Sequence, residues 1–517
     1  MKRTTLLAYA AAALAIAGCA TTQNSSSSTT PQEQHRPQFH FTPPAQWMND
    51  PNGMVYYDGE YHLFYQHNPD STVWGPMHWG HAVSTDMVHW EHLPIALYPD
   101  SLGTIFSGSA VVDANNTSGL GTRDTPPMVA IYTYHNADGE RAGRNDFQTQ
   151  GLAYSLDKGR TWKKYERNPI LKNPGIKDFR DPKVSWNEKA NQWIMTLAVL
   201  DHIEFYGSDN LKDWTKLSEF GKNAGGHGGV WECPDLFPLT INGQQKWVLL
   251  VSINPGGPNG GSATQYFIGN FDGRTFTSDN PPQTTLWIDY GTDNYAGVTW
   301  ANVPASDGRR LFLGWMSNWL YANEVPTSTW RSAMTAPREL SLIQTEAGIR
   351  LANVPVKEMQ KLRTGTTPLK AQEVNGPLDL SGQYNLSMPL LELDLDLDVA
   401  RAQEAVLRFS NSKGEHLDVG YSVADKQLYI DRTQSGMVSF KDNFPGVYKA
   451  PLTVQDGKLR LHLLLDVASV EVFANGGQSV MTSIFFPNEY YNKVELISKG
   501  ITGLQESKAY PLQSTRK

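Results

Sequence analysis

The chain of 517 residues is poor in cysteine and in charge. Its two cysteines are Cys19 and Cys233. Cys19 falls in an N-terminal export segment, so no disulfide framework can hold the mature chain together. Cys233 reads as a buried thiol. Charged residues make up 19% of the sequence, the net charge is -8, and no long basic run occurs. That balance argues against a nucleic-acid partner and favours a neutral ligand over a polyanion. No clustered metal-ligand spacing appears. Beyond residue 36 there is no further apolar run long enough to cross a bilayer. Tryptophan stops at Trp330.

Aromatic residues reach 11%, with 15 Trp, and there are 44 Gly and 31 Pro. Such a mix suits an all-β protein with many turns and an aromatic-lined site. The length exceeds what one ordinary core accommodates, so two domains are expected. Lys2 and Arg3 precede an apolar stretch, residues 6–17, that is short for a membrane span. It ends in Ile16-Ala17-Gly18-Cys19, which resembles a bacterial lipobox. Residues 1–19 are therefore expected to be a lipoprotein signal peptide, with Cys19 acylated. Residues 20–36, rich in Ser, Thr and Gln, are expected to form a flexible tether. The product would be exported and lipid-anchored, at the outer membrane or cell surface of a Gram-negative host.

From about residue 38 short strands alternate with Gly, Pro, Asn and Asp. An acidic turn followed by an aromatic residue recurs. It appears as Ser84-Thr85-Asp86 with Trp90, as Ser155 to Gly159 with Trp162, and as Ser208-Asp209 with Trp214. A weaker copy is Asp272-Gly273 with Phe276. Repetition at this scale in an all-β chain points to a propeller, and about 300 residues at about 60 per blade make five blades. Residues 37–345 are assigned to it. After about residue 345 the pattern changes. Residues 391–399 alternate strictly between apolar and acidic, and 459–463 and 470–473 behave similarly, as expected for a β-sandwich over 366–517. Residues 346–365 read as a linker with a short helix.

Three acidic residues sit in unusual company. Asp50 lies in Trp47-Met48-Asn49-Asp50-Pro51-Asn52-Gly53, where Pro51 biases it toward extended backbone and Asn52-Gly53 favours a turn. Asp181 lies in Phe179-Arg180-Asp181-Pro182, beside a guanidinium that favours its ionised form. Glu232 lies in Trp231-Glu232-Cys233-Pro234, where burial would raise its pKa toward that of a general acid. The Gly-rich run 225–229, with His227, allows backbone to approach a ligand there. Taken singly, these strings also describe an Asx-rich turn, a surface ion pair and a strand-end glutamate. Phe106-Ser107-Gly108-Ser109, Trp74 and Trp79 with Gln66, and the segment from Trp315 to Trp319 offer rings, hydroxyls and amides for a sugar.

Together the motifs resemble glycoside hydrolase family 32: invertases, inulinases, levanases and fructan β-fructosidases. The resemblance rests on residues 47–53, 106–109, 180–182 and 232–234, in the family's order, and runs nearly the whole length after the tether. It implies a five-bladed propeller followed by a β-sandwich. It implies Asp50 as nucleophile, Glu232 as acid/base and Asp181 as transition-state stabiliser. It places Trp47, Asn49, Gln66, Trp74, Phe106, Ser107, Arg180 and Trp315 around a terminal fructose. Residues 74–81, 254–258 and 262–267 look most like exo-acting levanases and inulinases. The activity the resemblance implies is retaining release of β-D-fructofuranosyl units from levan, inulin or sucrose, a chemistry that needs no metal or organic cofactor. The alternatives are a fructosyltransferase, an endo-acting levanase, an arabinan-type hydrolase and a non-catalytic sugar-binding protein.

Overall fold

The computed structural model describes residues 33–383 and 388–516. The expected signal peptide, Cys19 and most of the tether lie outside the described residues. The last part of that tether, 33–36, is ordered against the body. Arg36 is buried, and its Nη1 donates to Pro43 O at 2.8 Å. A guanidinium with carbonyl partners is better satisfied there than a free tether would allow.

Five antiparallel sheets follow in chain order, and their inner strands are Gln46–Tyr57, Thr104–Val112, Phe179–Asn187, Val230–Ile241 and Tyr295–Thr299. Each inner strand touches the next, and the fifth returns to the first, closing a ring. Closure is by backbone. Ala301 N–H donates to Met54 O and Tyr56 N–H to Ala301 O, each at 2.9 Å. Trp330–Arg331 also pairs in parallel with Gln46 and Trp47. Apolar layers fill the wedges between blades. Phe64 and Trp79 meet Ile105 and Tyr132, and Val111 and Ile131 meet Phe179 and Trp193. Further round, Phe205 meets Trp231, Phe237 meets Phe312, and Trp47 meets Trp315. Removing one such ring, as in Phe64→Ala, costs about 3–5 kcal/mol because the wedge cannot collapse to fill the void.

The recurring turn of the sequence joins the third strand of a blade to its outer strand. Asp86 Oδ1 accepts from the N–H of Val88 and His89, and Trp90 Nε1 donates to Met87 O. Trp162 and Trp214 make the same bond to Gly159 O and Leu211 O. In the third blade the side chain holding the turn is Asn210, not Asp209. Either an amide or a carboxylate oxygen can accept these N–H groups, so sequence left the choice open.

The fifth blade extends beyond residue 345. Arg338–Thr345 and Gly348–Pro355 form a hairpin closed at Gly348, whose φ is 103°. Half of the expected linker is thus the blade's outer strand. The expected short helix is a 3-10 turn, Lys357–Leu362. Beyond it, the strand Leu391–Ser410 runs through both layers of the sandwich. Its first half pairs with Lys458–Asp466 and its second with His416–Ser422. Leu391, Leu393, Leu395, Leu397 and Val399 point into the core, as the alternation predicts. Glu392 is also buried, held by Arg363 and His462.

Two buried arginines clasp the domains. Arg338 of the propeller bonds Asp289 Oδ2 at 3.0 Å and Glu471 of the sandwich. Arg432 of the sandwich bonds Asp293 Oδ2 of the propeller at 2.8 Å.

Candidate active site

The inner strands all run the same way along the propeller axis, so their first residues meet at one end. Each blade delivers one group there: Asp50, Ser107, the Arg180-Asp181 pair, Glu232 with Cys233, and Tyr295. Every one of these strands carries a register shift at that point. Pro51, Pro182 and Pro234 have no N–H to give a ladder, which places the irregularities beside Asp50, Asp181 and Cys233. Asp181 and Cys233 sit at φ 63° and 45°, in the left-handed region. The bulges turn side chains that regular alternation would split between two faces toward one pocket.

The pocket holds about 240 Å³ and is lined by Asp50, Asp181 and Glu232 together with Asn49, Gln66, Trp74, Phe106, Ser107 and Arg180. Asp50 accepts Ser107 Oγ–H at 2.7 Å and Asn49 Nδ2–H at 2.9 Å. Asp181 Oδ2 accepts the Cys233 backbone N–H at 3.0 Å, and the Arg180 Nε lies 4.0 Å away. Arg180 donates to Glu232 Oε1 at 2.9 Å and to Asp178 at 2.6 Å. The Tyr295 hydroxyl donates to Glu232 Oε2.

The Arg180 guanidinium thus serves Glu232, Asp178 and, more distantly, Asp181. Burial, and then the charge of Glu232, raises Asp50 above the ordinary aspartate range. Asp181 is pushed up to about 7 by burial, against the pull of Arg180 and with the repulsion of Glu232 and Asp50. The cluster therefore retains a proton well above the pH at which free aspartates lose theirs. Cys233 is raised by burial and by the surrounding carboxylates, so its thiol stays protonated and donates.

Two expected sugar contacts are corrected. Trp47 and Trp315 are fully buried and do not line the pocket. They support Trp319, which does, at ring distances of 5.9 and 4.9 Å. Trp47 also donates through Nε1 to Asn49 Oδ1 at 2.7 Å, fixing the amide beside Asp50. Trp79 is buried as well, bonded to Phe106 O. His227 stacks on Trp231 at 5.4 Å and does not line the pocket.

The lining also includes Asn254, from the stretch 254–258, and His135, Glu140, Phe147, Gln148 and Asp178, which the sequence did not single out. Gln148 Oε1 accepts Phe179 N–H at 2.9 Å. His135 lies parallel to Phe106 at 4.3 Å and 3.1 Å from Glu140. Asp178, two residues before Arg180, and Trp319, at the end of an aromatic-amide string, had a local signal. His135, Glu140 and Tyr295 had none.

Three carboxyl groups meeting on one small, aromatic-walled pocket are the equipment of a glycosidase that works by carboxyl chemistry. Residues 40–355 match the glycosyl hydrolases family 32 N-terminal domain and residues 358–511 the family 32 C-terminal domain. The chain belongs to glycosyl hydrolases family 32. It is 52% identical over 470 residues to a levanase of Bacillus subtilis (strain 168), covering 90% of this chain and 68% of that one. It is 40% identical to an extracellular exo-inulinase of Aspergillus awamori, covering 91% of this chain and 93% of that one. A levanase of Bacillus sp. (strain L7) is 39% identical over 90% of this chain, which spans only 51% of that protein's length. The crystal structure of the Aspergillus awamori exo-inulinase superposes with a TM-score of 0.85 at 36% identity, covering 93% of this chain and 99% of that one.

Proposed function

We propose that this chain removes terminal β-D-fructofuranosyl units from fructans and sucrose with net retention. The observation that carries the reading is the meeting of Asp50, Asp181 and Glu232 on one pocket. Relatives named levanase and exo-inulinase support the substrate class. At about 240 Å³ the pocket is below the roughly 300–1,000 Å³ of drug-sized sites, which suits one sugar unit entering end-on.

In this reading an Asp50 oxygen attacks the anomeric carbon while Glu232 gives its proton to the departing glycosidic oxygen. Glu232, now a carboxylate, takes a proton from water, and the hydroxide oxygen displaces Asp50. Asp181 faces the positive charge that develops on the ring, and its negative charge lowers that barrier. Asn49, Gln66, Arg180 and the rings of Trp74, Phe106 and Trp319 hold the sugar.

The test is digestion of levan, inulin and sucrose side by side, with early products chromatographed. Fructose as the only early product from polymer supports the reading. Early oligosaccharides mean endo action, and longer transfer products from sucrose mean a transferase. At the N-terminus the reading has Cys19 acylated, tying the enzyme to the membrane at the cell surface. Cys19→Ser should then move activity from the membrane fraction to the soluble one. Equal partitioning of both forms would count against the anchor.

A further inference from the structure

The propeller has a second mouth at the other end of its inner strands. The inner strands start at the pocket and end about 3.3 Å per residue further on, so Asn187 stands roughly 20 Å beyond Asp181. Around these far ends lies a cavity of about 610 Å³. It reaches the ends of four inner strands, at Val112, Asn187, Pro238 and Thr299.

Its walls repeat the chemistry of the first mouth without the acid pair. Half-buried Trp186 and Trp247 line it, each braced by a ring set nearly edge-on. Trp186 stands 5.2 Å from Trp193, and Trp247 stands 5.3 Å from Phe271. Amides of Asn115, Asn191 and Gln245 are exposed at its rim. Arg310 lies over the Phe237 ring at 5.0 Å, and its buried Nε has no hydrogen-bond partner among the described residues. A buried guanidinium N–H without an acceptor costs free energy that an incoming oxygen would recover.

The charges in the lining cancel: Lys183, Lys189 and Arg310 face Asp113, Glu188 and Asp235. Lys183 is already occupied, 3.2 Å from Asp235, whose Oδ2 also accepts Thr299 Oγ1–H at 2.8 Å. An anion therefore has little to gain here. Rigid aromatic faces beside planar amides and a guanidinium suit a neutral polyhydroxylated ligand, with C–H faces on the rings and hydroxyls on the polar groups.

We infer that the far mouth of the propeller is a second, non-catalytic carbohydrate site that holds a stretch of the same fructan chain the enzyme degrades. The inference rests on the proposed function and extends it: polymer held at this end stays close to an enzyme whose cutting site is at the other.

The test uses the whole chain. Migration is followed through native gels containing levan or inulin, and sucrose turnover is measured in parallel. Trp247→Ala and Arg310→Gln should each weaken polymer retardation, by about tenfold for loss of the stacked ring, with sucrose kcat/KM unchanged. Retardation equal to that of the parent in both variants overturns the inference, as does a matching fall in sucrose turnover. Hydrogen exchange of Asp50→Asn with an inulin-derived tetrasaccharide needs no change at the second site. Protection at 183–193 and 299–310, in addition to the catalytic pocket, supports the inference. Protection at the pocket alone overturns it and leaves the proposed function standing. Protection at neither end counts against both.

Discussion

The thiol of Cys233 bridges two aspartates, its Sγ lying 3.5 Å from Asp50 Oδ2 and 3.6 Å from Asp181 Oδ2. It is the side chain that joins the attacking and stabilising carboxylates of the proposed mechanism. A protonated thiol donates weakly to either and favours their ionised forms. Cys233→Ala should lower kcat about tenfold, the worth of one hydrogen bond to a charged group. It should also move the acidic limb of the pH–rate profile to higher pH, because Asp50 must be ionised to attack. Cys233→Ser, which restores a donor, should recover most of both effects. A profile unchanged in the alanine variant would show the thiol to be filler.

Asp50→Asn should cut turnover by at least about 10³-fold, since no neighbouring group replaces the nucleophile. Its melting temperature should not fall, because the ionised form is disfavoured by burial and by Glu232. Glu232→Gln should impair natural fructans and sucrose far more than a fructoside with an activated leaving group, which needs no proton. Equal losses on both substrates would remove Glu232 from the acid role.

Tyr295→Phe tests the hydroxyl that the fifth blade's inner strand brings to Glu232. Its hydroxyl donates to Glu232 Oε2 and is held protonated by burial and by the Glu232 charge. Losing that donor removes a bond that orients the Glu232 carboxyl group, so kcat on natural substrates should fall about tenfold with the melting temperature little changed. An unchanged kcat would remove Tyr295 from that positioning role.

His40 links the strand-free N-terminal segment to the sandwich. Its Nδ1 lies 2.8 Å from Asp466 and its Nε2 2.8 Å from Glu471. Serving two carboxylates requires both nitrogens to donate, which is the charged imidazolium. Burial pulls His40 down, but Asp466 and Glu471 outweigh it and raise it to about 9. A raised pKa means stability that is complete below the unfolded value near 6.5 and is lost as pH rises through about 9. Denaturant midpoints should fall over that window by the equivalent of about 3 kcal/mol, an order-of-magnitude figure. His40→Gln should flatten the fall. A wild-type slope that persists in His40→Gln would assign it to other groups.

Local signals carried far in this chain. The turn chemistry around Trp90, Trp162 and Trp214 is a property of a few adjacent residues, so the repeat and the blade count were legible. The same holds for the alternation that buries Leu391 to Val399. The three acids announced themselves because each has a proline within two residues, and proline acts on its own neighbourhood. The fifth blade's outer strand was hidden, since nothing in residues 348–355 alternates cleanly and only pairing with Arg338–Thr345 defines it.

The sequence by itself determined the architecture, the acids and the family, because backbone bias, periodicity and motif order are written in consecutive residues. Tertiary structure alone decided which aromatic ring meets the sugar. Trp315 and Trp319 are four residues apart and chemically identical, yet Trp315 is enclosed by Trp47 and Tyr295 while Trp319 reaches the pocket. It also decided that Tyr295, in an unremarkable apolar strand, would meet Glu232 from 63 residues away. Solvent exposure and cross-blade contact depend on closing the ring of five sheets, and no short stretch of chain records that closure.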